Sequence, residues 1–142
     1  MTTDTVTIEK LYQDWVWVIQ GYSIKPASVD AWEAAVRAYI QHVNHAPERY
    51  LVYDLLPVEN LGFTSYMRQR TTTLAQDNRD AMGRVAVVMN INPMLRYVFE
   101  PFFRLTGSRL QPHLDVRLFG NRDEAVNWVA SSLPEAIKNG GQ

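Results

Sequence analysis

The sequence predicts an α/β domain: a mixed sheet of about five strands with four helices, in the order ββαβαβαβα. Three observations carry this. After two opening strands, strand-type and helix-type periodicities alternate along the chain. The connections between them are short. The segments Trp15–Ile19 and Val85–Met89 are nearly unbroken apolar runs, as expected of central strands covered on both faces. At 142 residues the chain is long enough to bury a core without staples, so one domain over 1–142 is expected, fraying at 134–142.

Val6, Ile8 and Leu11 mark a first strand with a spacing of about two, and Tyr12–Asp14 connects it to Trp15–Ile19 as a hairpin. A helix follows Pro26, with apolar residues at Val29, Trp32, Val36, Tyr39, Ile40 and Val43. Asp30 and Glu33 have capping-box spacing, and Ser28 competes as the N-cap. Asn44–Pro47 stops this helix. Tyr50–Leu56 is a strand ended by Pro57, and Thr64 or Ser65 caps a second helix running to about Gln76. Arg84–Met89 is a strand of buried type. Asn92 and Pro93 open a third helix that Gly107 ends. Leu114–Phe119 alternates apolar with polar residues. Asn121, with Glu124 as its partner, then caps a last helix over Arg122–Leu133.

Composition narrows the role. Apolar residues make up 46% of the chain and charged residues 20%, with a net charge of -1. A near-neutral chain does not suit binding through phosphate neutralisation, so no nucleic-acid partner is expected. With no cysteine there is no thiol catalysis, no thiolate metal site and no disulfide. The first residues lack a cationic stretch followed by an apolar core, and no window of 18 residues is uninterruptedly apolar. The expectation is a cytoplasmic protein with no transmembrane segment.

The order of elements and two segments resemble a known family. The segments are the strand Arg84–Val88 and the strand-to-helix junction Val116–Trp128, with its acidic-acidic-Ala-x-x-Trp run at Asp123, Glu124, Ala125 and Trp128. From about Thr5 to Leu133 the chain resembles the STAS-like domains, specifically the SpoIIAA-like, anti-sigma-factor-antagonist type. The resemblance implies a small non-enzymatic domain that works through a surface. It also implies a hydroxyl at the N-terminus of the second helix that a partner kinase phosphorylates. Asp54 and Leu55 match the family's strand end, and Thr64 and Ser65 lie where the hydroxyl should fall. Gly62 and Phe63 stand near where the family has an Asp-Ser pair.

Three groups of residues are candidates for chemistry. Thr64 and Ser65 serve either as phosphoacceptors on exposed helix amides or as plain caps. Arg68 and Arg70, grouped in sequence with Arg79 and Arg84, serve either as anion contacts or as members of solvated ion pairs. The third group is Met94–Leu105, where eight of twelve residues are apolar. These residues fall all round a helix, so the segment is either core tucked under a loop or an exposed patch. Met94, Tyr97, Val98, Phe99, Phe102 and Phe103 form this partner or ligand surface. Two of the histidines, His42 and His45, sit near a helix end, and no set of three metal ligands accompanies them or His113. No phosphate loop or nucleophile elbow is present.

The sequence therefore predicts a non-catalytic regulatory or interaction domain without cofactor or metal. A homodimer or a protein partner would form through the aromatic third helix. The alternative is a domain that binds a small apolar ligand or lipid with the same aromatics.

Overall fold

A computed structural model describes residues 6–59, 61–62, 64–90, 92–94, 97, 99–101, 110–135 and 137. Its elements are β1 (Thr7–Leu11), β2 (Val16–Gln20), α1 (Pro26–His42), β3 (Glu48–Asp54), α2 (Ser65–Asp77), β4 (Met82–Val88) and β5 (His113–Phe119). Between β4 and β5, residues 93–94, 97 and 99–101 are helical and are written α3. A last helix, Arg122–Ala130, is written α4. The strands lie in the order β1-β2-β3-β4-β5. β1 is antiparallel to β2, and the other pairs are parallel.

Side chains alternate across the sheet as the pleat demands. Val16, Val18, Tyr50, Val52, Ala86 and Val88 face α4, where Ala125, Val129, Ala130 and Leu133 cover them. Trp17, Ile19, Leu51 and Val85 face the other way, onto Val36, Tyr39 and Ile40 of α1 and Leu74 of α2. Val87 and Met89 continue that second face beneath Phe99 of α3. The order of elements is the one the sequence predicts. The strand limits move by a few residues: β3 begins at Glu48 and ends at Asp54, β4 begins at Met82, and α4 stops at Ala130.

The start of α1 corrects the predicted cap. Pro26 occupies the first turn, Lys25 precedes it, and no side chain caps the helix. A proline there removes one of the N–H groups a cap would satisfy, so the helix begins before Ser28 and Asp30. Both residues, with Glu33, lie inside the helix. The Ser28 hydroxyl meets that of Ser23 at 2.6 Å, and Asp30 accepts from the Tyr66 hydroxyl. The caps expected elsewhere are present. Thr64 accepts from Met67 N–H at 3.1 Å, and Asn121 accepts from Glu124 N–H at 3.1 Å.

The hairpin turn is strained. Tyr12, Gln13 and Asp14 have φ of 54°, 56° and 67°, the left-handed region that costs an L-residue roughly 1–2 kcal/mol. Helix α1 and β2 hold this turn in place. Trp17 Nε1 and His42 Nε2 both donate to the Asp14 carbonyl, at 3.1 and 3.0 Å. The fully buried Tyr39 donates its hydroxyl to the Trp15 carbonyl at 2.8 Å and accepts from Tyr50 N–H at 3.2 Å. One phenol thus bridges β2 and β3 just beyond the point where their ladder ends. Burial pushes its ionisation well above the ordinary tyrosine range.

Replacing Tyr39 with Phe keeps the packing and orphans two backbone groups. The expected loss is about 1–3 kcal/mol, measured as a lower urea midpoint at unchanged m-value.

Candidate interaction surface

The predicted surface centres on α3. Asn92 turns the chain into it, accepting from Met94 N–H at 2.8 Å, and Pro93 takes the first helical position. Phe99 is only 1% exposed. It joins Val87 and Met89, with Tyr53, Leu55, Met67 and Leu118 around it. Tyr97 is 83% exposed and Met94 76%. Helix geometry explains the split: Tyr97 and Phe99 are about 200° apart on a helix, while Met94 shares the side of Tyr97. The expectation of one aromatic surface is therefore corrected at Phe99, which belongs to the core. Val98, Phe102 and Phe103 lie outside the described residues.

Beneath Phe99 lies an apolar cavity of about 90 Å³, lined by Gly21, Val29, Trp32, Tyr53 and Met67 among others. A second cavity of about 90 Å³ extends from Trp32 and Tyr53 toward Arg49 and Leu114. Desolvation raises the Tyr53 phenol far above its ordinary range, and its ring meets Trp32 edge-on at 5.3 Å. Ligand pockets usually measure roughly 300–1,000 Å³.

The other candidates have structural partners. Thr64 uses its hydroxyl oxygen as the α2 cap, and Ser65 is the exposed first residue of that helix. Arg70 is a member of an ion pair, gripping Glu33 of α1 with two bonds of 2.7 Å. Arg37 reaches the same carboxylate at 2.9 Å and Asp77 at 3.1 Å. Glu33, 7% exposed, therefore ties α1 to α2 through two guanidinium groups. Hydrogen bonds from Arg70 and then Arg37 hold its carboxyl below the usual glutamate range, against the opposing effect of burial.

Arg68 is exposed on α2. Arg84 leaves the sequence cluster altogether. It lies on the α4 face, stacked 4.8 Å from the Trp128 ring and bonded to the Trp128 carbonyl at 2.7 Å. The arginines close in sequence do not form one patch.

Asp54, buried at the end of β3, accepts from Gln20 Nε2 at 3.1 Å and Leu56 N–H at 3.0 Å, which makes it a joint in the scaffold. Among the described residues no three His, Cys, Asp or Glu side chains are grouped to hold a metal. No helix among them is long and apolar enough to cross a membrane.

The fold can be set beside known proteins. No family model matches the chain, and no curated protein matches it. Among solved structures it resembles an uncharacterised protein of the DUF3478 family with a SpoIIAA-like fold from Shewanella loihica. The TM-score is 0.62 at 13% identity, over 88% of this chain and 92% of that one. The domain thus has a SpoIIAA-like fold, as the element order implies.

Two outcomes follow from these contacts. Phe99→Ala should lower stability by about 3–5 kcal/mol, whereas Tyr97→Ala should stay within about 0.5 kcal/mol; urea titration of both variants separates them. The Glu33 pairing is complete above the unfolded glutamate pKa of about 4.3 and is lost as pH falls through the lower folded value. Glu33→Gln should therefore flatten the acid side of the stability curve, read as urea midpoints between neutral and acidic pH.

Proposed function

We propose that this is a non-catalytic interaction domain that self-associates through α3. The observation that carries the reading is the division of that helix. Phe99 anchors it in the core, while Met94 and Tyr97 stand almost fully in solvent. Tyrosine and methionine are enriched at protein interfaces, and exposed anchors of this kind carry much of the binding energy there. In this reading Glu33, Asp54, Thr64 and Arg70 are scaffold, each with a partner that accounts for its position.

A second reading, an apolar-ligand domain, draws on the cavity beneath Phe99. At about 90 Å³ it is well below the volume of an engineered cavity that accepts benzene, roughly 150 Å³. A lipid would fit only if the side chains lining the cavity moved apart. The interaction reading needs no such movement.

Sedimentation velocity over a range of concentrations tests the first reading. Wild-type protein should dimerise, and Tyr97→Asp should raise the dissociation constant at least tenfold without lowering the urea midpoint. Equal dimerisation of both proteins would count against α3 as the contact. A lipid retained by monomeric protein in native mass spectrometry would favour the second reading.

A further inference from the structure

β5 ends the sheet, and among the described residues no strand pairs with its outer edge. The Phe119 carbonyl accepts from Met89 N–H at 2.9 Å, so Phe119 turns its backbone groups toward β4. Alternation along the strand then points the backbone groups of Leu114, Val116 and Leu118 outward. The Leu114 N–H folds back onto the Gln111 carbonyl at 3.1 Å. On the α4 face of this strand stand Asp115 and Arg117, one on each side of Val116. Their side chains are 47% and 59% exposed and meet at 3.3 Å.

We propose that β5 pairs antiparallel with β5 of a second copy of this chain, about a two-fold axis at Val116, to form one continuous sheet. In that register the two Val116 residues exchange N–H···O bonds, and the Leu118 N–H of each copy meets the Leu114 carbonyl of the other. Asp115 of one copy lies opposite Arg117 of the other, and the reverse pair completes the set. Both are non-hydrogen-bonded positions, where cross-strand side chains come closest. On the opposite face Leu114 meets Leu118.

The charges also reject the neighbouring registers. A slip of two residues one way sets Asp115 against Asp115, and the other way sets Arg117 against Arg117. Charges on an edge strand usually block pairing. Here, opposite signs placed symmetrically about one residue select a single self-pairing instead. An isologous contact of this kind closes at two chains.

This inference rests on the reading that the domain self-associates and adds the backbone that would do it. The test is charge reversal followed by sedimentation velocity. Asp115→Arg and Arg117→Asp each place like charges across the axis, and each should raise the dissociation constant at least tenfold. The two variants mixed in equal amounts should form a heterodimer, and the double reversal should restore the homodimer. Both positions are exposed, and Arg84 keeps its place over Trp128, so circular dichroism melts should show folded variants. In wild-type protein, amide exchange at Val116 and Leu118 should slow as concentration rises.

Single variants that dimerise like wild type overturn the pairing, as does a mixture that stays monomeric. If Tyr97→Asp dissociates the dimer and the reversals do not, the α3 reading stands and the β5 pairing fails. The converse result leaves β5 as the contact. A wild-type protein that is monomeric at every concentration overturns both.

Discussion

Each strand of the sheet lies beside its neighbour in the chain, and this order governs where everything else sits. Parallel strands joined by helices are connected by right-handed crossovers. When every crossover advances the sheet in the same direction, all the crossing helices fall on one face. Hence α1, α2 and α3 crowd the face built by Trp17, Leu51, Val85 and Val87. The helix that crosses nothing, α4, is left to cover Val16, Val18, Val52 and Ala86. Trp128 extends that cover over β4 and β5, whose Arg84 and Arg117 lie at 4.8 and 5.0 Å from its ring.

Within the crowded layer α1 makes the polar joints. Tyr39 fastens its C-terminal half to the hairpin and to β3, and Glu33 fastens its middle to α2. These joints differ in kind. The phenol replaces a piece of backbone ladder in a dry setting, where an unmet group is expensive. The carboxylate sits at the helix–helix seam near solvent, and its hold depends on charge. Between the two lie apolar contacts that specify no orientation. The polar pair therefore fixes how α1 is rotated and where along the sheet it rests.

Much of the architecture is legible in periodicity, because strand and helix patterns depend on neighbours in sequence. Trp15–Ile19 and Val85–Met89 read as central strands, and they are central. The cap of α1 was not legible, since Asp30 and Glu33 have capping spacing but Pro26 starts the helix earlier. Sequence alone does not choose between an anion contact and an ion pair for Arg70, because its partner is 37 residues away, on a different helix. Tyr39 carried no signal either, being one more apolar mark on a helical face. The division of α3 lay half in view. An all-round apolar helix must bury one side, and the 3.6-residue turn separates Tyr97 from Phe99, but which of them faces inward is decided by Val87 and Met89 of β4. The edge of β5 reads in sequence only as an alternating strand, because edge position belongs to sheet order rather than to local pattern.

The position of α4 after the last strand of the sheet has a consequence for folding. Sheet partners are consecutive, so each strand can pair with the one before it as the chain emerges. The face served by α4 cannot be closed in the same stepwise way. Until α4 docks, Val16, Val18, Val52, Ala86 and Val88 form a bare apolar plane waiting for Ala125 and Val129. Exposed strand surface of this kind is what chaperones bind and what aggregates when they do not. The vulnerable species is thus a chain whose strands have paired before α4 has docked.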